Sequence, residues 1–264
     1  MAIVVGTAGW TIPASEAERF PREGSALVRY AARFAGVEIN SSFHRPHRAA
    51  TWQRWRDSVP ADFRFAVKIP KAITHERRLA GCADLAARFL DEAGGLGGKL
   101  AVLLVQLPPS LTFDAAAAEP FFADLAARTP ARIACEPRHP SWLEAPADAL
   151  LEQLRVARVA ADPAPAPAGP GGWRGFSYWR LHGSPRMYRS AYAPERLDAY
   201  ARRLAEAGQG GDAWCMFDNT AASAATGDAL GLMARLPHMA WRPERHTPAR
   251  YAVVSAATPM NKAE

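Results

Sequence analysis

Three cysteines stand in 264 residues, and none lies near another. Cys82, Cys135 and Cys215 are too few and too widely spaced for a disulfide framework or a zinc ligand set. Cys135 and Cys215 sit inside apolar runs and read as small core residues. No run approaches the roughly 18 apolar residues that cross a bilayer, so no membrane partner is expected. The start, "MAIVVGTAGW", lacks a basic stretch and has too short an apolar run for an export signal. The expected location is cytoplasmic. Basic residues do not cluster: Lys and Arg total 32, but they are scattered along helical faces beside Ala and Glu. There is neither HxH nor HExxH, and no organic cofactor motif.

The composition is that of a globular chain. Hydrophobic residues make up 49% and charged residues 22%, which supports a large core and excludes global disorder. A net charge of +6 and a pI near 9.5 permit an anionic partner.

Short apolar runs recur at 3–6, 36–40, 63–69, 99–107, 132–136, 157–161, 176–182 and 213–218. Helical patterns separate them, at 25–34, 51–59, 84–93, 119–128, 147–157, 194–207 and 227–236. Pro194 fits a first helical turn, and "AGQGG" at 207–211 reads as that helix's stop. Eight strands alternating with helices predict an α/β fold with a parallel sheet, and eight is the number that closes a TIM-barrel-like (β/α)8 ring. The exception is "DPAPAPAGPGGWRG" at 162–175, too rich in Pro and Gly for a helix. An irregular crossover after strand six is expected there. Residues 1–240 read as one domain and 241–264 as a C-terminal extension with little periodicity.

Strand side chains alternate between two faces. In the second strand Val37 and Ile39 take one face, and Glu38 and Asn40 the other. The same sorting sets Ile133 and Cys135 against Glu136, and Trp179 and Leu181 against Tyr178, Arg180 and His182. Lys68, Gln106 and Asp218 fall at the ends of their strands on the polar side. The polar residues thus collect at the C-terminal ends of the strands, where barrel active sites lie. The predicted mouth holds Glu38, Asn40, Lys68, Gln106, Glu136, Arg180, His182 and Asp218, with Arg138 and His139 just beyond strand five.

Two accounts of this set compete. Glu38–Lys68 and Glu136–Arg180 could be structural ion pairs, because buried charges persist only when paired. Alternatively they are chemistry, since a core built for stability alone packs better with apolar side chains.

At this point the motifs acquire a resemblance. "GTAGW" (6–10), "VEINSSFHRP" (37–46), "FAVKIPKAITHERRL" (65–79), "LLVQLPPSLTFD" (103–114), "ACEPRHPSW" (134–142), "YWRLHG" (178–183) and "MFDNT" (216–220) are similar, in content and order, to those of the DUF72 or YecE-like family. The resemblance spans about residues 3–236. It implies a TIM-barrel-like fold and no settled activity. The chain departs from the family's habit at His44, where Tyr is common, at Asp218-Asn219, where Asn-Asn is common, and in "TIPASEAERFP" after the first motif.

The chemistry read from the residues is acid/base work on a small phosphorylated or carboxylated substrate. Glu38, Glu136, His182 and Asp218 are the expected acid and base groups. Lys68 is a Schiff-base candidate whose simpler role is a salt bridge to Glu38. Substrate contacts are expected from Asn40, His75, Gln106, Arg138, His139, Arg180 and Asn219, with Trp142 and Tyr188 as stacking surfaces. "KAITHERRL" (71–79) is expected to be a long loop over the mouth. A divalent metal is the less favoured alternative, because Lys68 and Arg180 would compete with it. The second functional class is a nucleic-acid-binding or phosphodiester-cleaving barrel protein. Glu136→Gln and Arg180→Ala are expected to abolish ligand binding with little loss of folding.

Overall fold

The computed structural model describes residues 2–164 and 169–236. The expected C-terminal extension, 241–264, lies outside the described residues, as do four residues of the crossover.

The strands are β1 (Ile3–Thr7), β2 (Gly36–Ile39), β3 (Arg64–Lys68), β4 (Leu100–Gln106), β5 (Arg132–Glu136), β6 (Val156–Arg158), β7 (Ala160–Asp162), β8 (Gly171–Gly172), β9 (Phe176–Leu181) and β10 (Asp212–Phe217). The helices are α1 (Ala26–Ala31), α2 (Ala49–Asp57), α3 (Ala83–Ala93), α4 (Ala115–Arg128), α5 (Ala145–Gln153), α6 (Pro194–Gly210) and α7 (Ala225–Arg235). Pro194 opens α6 as expected, but the helix runs through "AGQG" to Gly210 before stopping.

Parallel pairing links β2, β3, β4, β5 and β6 in order, and a second set runs β7, β9, β10, β1. Two seams join the sets. At one, Ala8 bridges to Glu38. At the other, the sixth strand itself changes partner. Its first half, β6, pairs with β5, and its second half, β7, pairs with β9. Only Val159 separates the halves. The pairings therefore run once around a TIM-barrel-like α/β fold. The expected single strand at 157–161 is thus two short ones. In the crossover, no helix lies among the described residues, and β8 pairs antiparallel with β6.

The alternation of side chains builds two cores. Val37, Ile39, Phe65, Val67, Leu103, Val105, Ile133 and Cys135 face outward and join helix residues such as Leu27, Trp52, Phe89 and Phe122. Val4, Ala66, Val102, Leu104, Ala134, Ala157, Tyr178, Trp214 and Met216 form a separate inner core. Tyr178 stacks on Trp214 at 6.2 Å between ring centroids, which helps plug the ring. The inner face is therefore apolar low down and polar only near the strand ends.

The "GTAGW" stretch belongs to the β1–β2 seam. A Cβ on Gly6 would run into the Gly36 carbonyl oxygen, so the two strands approach as closely as glycine allows. Thr7 N donates to the Tyr30 hydroxyl at 2.9 Å, and Gly9 N, at φ +78°, donates to Glu38 O at 2.8 Å. The seam thereby fixes the backbone that carries Glu38.

Candidate functional site

Arg180 is the hub of the mouth. It projects from β9 and is 1% exposed. Its Nε donates to Glu38 Oε2 at 3.0 Å and its Nη2 to Glu38 Oε1 at 2.7 Å. Nη1 donates to Glu136 Oε2 at 2.6 Å, and Nη2 also reaches Asp218 Oδ2 at 2.8 Å. One planar fork thus serves three carboxylates from three other strands or strand ends. The Tyr178 hydroxyl donates to Glu38 Oε2 at 2.7 Å. Glu38 is fully buried, and both of its oxygens are engaged.

A second ring of contacts surrounds Glu136. Arg138 Nη2 is ion-paired with Glu136 Oε1. The same nitrogen lies 2.9 Å from His182 Nε2. His182 Nδ1 is 3.2 Å from Asp218 Oδ2, and Nε2 is 3.2 Å from Glu136 Oε1. With Nε2 accepting from Arg138, the ring proton sits on Nδ1 and points to Asp218. A proton on Nε2 points to Glu136 instead. His182 can therefore hold a proton beside either carboxylate.

The charges shift one another. Burial pushes the Glu136 carboxyl up, but Arg180, Arg138 and His182 together hold it well below the usual carboxylate range. Asp218 is likewise held low against burial, chiefly by Arg180 and by His182. Burial disfavours the Arg180 charge, yet the three carboxylates raise its affinity for its proton well above normal.

Lys68 stands apart from this network. The expected salt bridge to Glu38 does not form, because Arg180 and Tyr178 already occupy that carboxylate. Among the described residues no carboxylate lies within 4.0 Å of the Lys68 ammonium. Its Nζ sits 3.9 Å from the centre of the Phe43 ring instead. Burial and then the Arg180 charge lower its pKa to about 8, against the opposing pull of Glu38, Glu136 and Asp218. His75 is 5.0 Å from Phe43, ring to ring. It belongs to a π-helical turn, Ala72–Glu76, where a long loop was expected. Phe43 also borders a cleft of about 350 Å³, with Trp52, Pro70, Ile73, Leu85 and Phe89 among its walls.

The remaining candidates divide. Asn40 Oδ1 and Arg138 Nε are buried and have no partner among the described residues. Gln106 is paired in register with Glu136 at the end of β4. Tyr188, at φ +64° and 40% exposed, lies 5.4 Å from the His182 ring. Three residues take structural places. Trp142 is buried under the loop, with Nε1 donating to Leu111 O at 3.0 Å and its ring against Phe113, so it offers no stacking face. His139 caps the turn Pro140–Leu143, its Nδ1 accepting from Ser141 N at 3.3 Å. Asn219 Nδ2 donates to Asp228 Oδ2 at 2.7 Å and Ser190 O at 2.9 Å, tying α7 to the loop after β9. Two participants escaped the sequence reading. Tyr178 shares the parity of Arg180, which was the available signal. Asp228 lies in a helix, and nothing local marked it.

A family model described as "Protein of unknown function DUF72" matches residues 4–251. The chain belongs to the DUF72 family. It is 32% identical over 107 residues to the UPF0759 protein YecE of Escherichia coli, which covers 40% of this chain and 38% of that one. The matched stretch is thus well under half of that curated relative. Among solved structures it is similar to a DUF72 protein of Enterococcus faecalis, with TM-score 0.75, 18% identity, and 89% and 95% of the two chains covered. A DUF72 protein of Thermotoga maritima gives TM-score 0.74 and 22% identity, over 90% of this chain and 100% of that one. At these identities the structures establish the fold of this DUF72 protein and nothing of its chemistry. Among the described residues no helix is long and apolar enough to cross a membrane.

Proposed function

We propose that this DUF72 protein is an enzyme that binds a small anionic substrate at the C-terminal mouth of its barrel. One observation carries the reading. Arg180 engages Glu38, Glu136 and Asp218 directly and Arg138 adds a second cation on Glu136, and the Lys68 ammonium has no carboxylate within 4.0 Å among the described residues. Among the described residues, Arg138 adds a buried Nε with no partner, and Asn40 an unpaired buried Oδ1. With the Asn219 Oδ1, two cationic donors and two acceptors remain for a ligand, and buried polar groups rarely stay unmatched. A phosphate or carboxylate meets the two cations. His182, between Glu136 and Asp218, supplies a site from which a proton can move during turnover.

A thermal-shift series tests this with inorganic phosphate, glycerol phosphates, citrate and a single-stranded oligonucleotide at two salt concentrations. The expected result is stabilisation by one or more small anions that persists with salt and is lost in Arg138→Gln. Stabilisation by the oligonucleotide alone, fading steeply with salt, would move the function to nucleic-acid binding, which a pI near 9.5 permits. No stabilisation by any small anion would overturn the proposal.

A further inference from the structure

We infer that Lys68 is an amine nucleophile, and that the anionic substrate carries an aldehyde or ketone group with which it forms a Schiff base. This rests on the anion-binding reading above and names its substrate class.

The geometry makes Lys68 unlike the other lysines. The chain uses arginine for nearly every cation: of 32 basic residues only Lys68, Lys71, Lys99 and Lys262 are lysine. Lys71 is exposed and paired with Glu76 at 3.3 Å. Lys99 donates to Arg56 O and Val59 O at 2.6 and 2.7 Å, which ties down the base of β4. Lys262 lies outside the described residues. Among the described lysines, Lys68 alone combines a position at the C-terminal end of a barrel strand with an ammonium that no described carboxylate holds. A residue meant only to balance Glu38 has lost that task to Arg180, whose fork and the Tyr178 hydroxyl fill both carboxylate oxygens. An arginine at position 68 would bind an anion as well or better. What lysine adds is the capacity to give up its proton.

The surroundings favour that loss. Burial first and the Arg180 charge on β9 second disfavour the ammonium, and together they outweigh the Phe43 ring 3.9 Å from Nζ, which favours the charged form. Glu38 on β2, Glu136 on β5 and Asp218 after β10 pull the other way, but each is ion-paired with Arg180, and Glu136 with Arg138 as well. His75, on the turn after β3, faces the same ring. With a pKa of about 8, Lys68 presents on the order of a hundredfold more neutral amine at pH 7 than an ordinary lysine.

The step balances without a redox partner. The amine lone pair attacks the carbonyl carbon, and the C=O π bond breaks onto oxygen. A proton passes from nitrogen to that oxygen, giving a carbinolamine. A further proton on the hydroxyl releases it as water while the C=N bond forms. Overall, a protonated lysine and a carbonyl give a protonated imine and one water. The substrate's anionic group is held meanwhile by Arg138.

The test is reductive trapping of the full chain. Glyoxylate, pyruvate and dihydroxyacetone phosphate are each incubated with the protein and cyanoborohydride, and the adduct is mapped by peptide mass spectrometry. The same compounds are run in thermal shift, with lactate and glycerol 3-phosphate as carbonyl-free controls. The expected result is an adduct from at least one carbonyl on Lys68, far above Lys71, Lys99 and Lys262, with a rate that rises through about pH 8. Lys68→Arg should keep the anion-dependent stabilisation and lose the adduct. Mapping on the unmodified sequence decides the matter even if that variant folds poorly. Adducts spread evenly over the lysines, or none with any of the three, overturn the inference. Stabilisation without an adduct overturns the Schiff base alone, whereas neither stabilisation nor adduct overturns the anion reading with it.

Discussion

Arg180 and Lys68 illustrate opposite fates of a cation in a barrel. Arg180 is fully buried, yet each of its three nitrogens has a carboxylate partner. Removing it leaves Glu38 with the Tyr178 hydroxyl alone and takes one cation each from Glu136 and Asp218, with Glu38 and Glu136 entirely out of water. Arg180→Ala is therefore expected to cost about 3–5 kcal/mol in urea unfolding, not the small loss that the sequence suggested. Lys68→Met should act in the other direction. The Lys68 pKa lies near 8 in the folded chain, below its ordinary 10.5. Below pH 8 both folded and unfolded chains carry the proton, and the buried charge weighs fully against folding. Between 8 and 10.5 the unfolded chain binds more protons, so wild-type stability rises with pH. Lys68→Met should thus raise Tm at neutral pH, by on the order of 5 °C. The gap should narrow as pH climbs past 8, and a gap that does not change with pH would contradict this account. Sequence alone did not reveal which cation holds Glu38. Parity put Lys68 and Arg180 on one face, but only the ring's curvature brings the arginine fork onto both oxygens at once.

At the scale of elements, legibility followed periodicity. The period-two alternation separated outer from inner faces correctly in β2, β5 and β9, because one face packs on helices and the other on the barrel interior. It failed at the sixth strand. The alternation continues through Val159 without a break, while the hydrogen-bonding partner changes there from β5 to β9. A change of partner leaves no local mark. Asp148 on α5 secures this region, accepting from Arg158 Nε at 2.9 Å and Gly172 N at 2.7 Å. The β1–β2 seam makes the opposite case, since its glycines were visible as a motif. Gly6→Ala is expected to lower stability by about 1–3 kcal/mol in thermal or chemical unfolding, because the new methyl meets the Gly36 carbonyl. It should also disturb the mouth, since Gly9 N holds Glu38 O at the same seam. A Gly6→Ala protein with unchanged Tm would show that the strands can part there without loss.

Over the whole molecule, the fold was the most legible property and the site less so. Eight apolar runs and their helices were enough for the ring, while Trp142 and His139 look functional in sequence and pack as structural parts. Tyr178 shows the converse, a residue that parity set beside Arg180 and His182 but that was given no role, and whose hydroxyl enters the ionic cluster. That cluster also says something about the order of assembly. Glu38, Glu136, Arg180 and Asp218 are spread over 180 residues of chain. The first five strands bring the acids Glu38 and Glu136 together with no Arg180 to answer them. The last two β-strands of the ring bring Arg180 and Asp218. In a chain released from its N-terminus, Glu136 has Arg138 beside it early, whereas Glu38 is expected to wait for Tyr178 and Arg180 on β9 before it can be buried with partners. The ionic cluster is then expected to close like a keystone, completed only when β9 is in place.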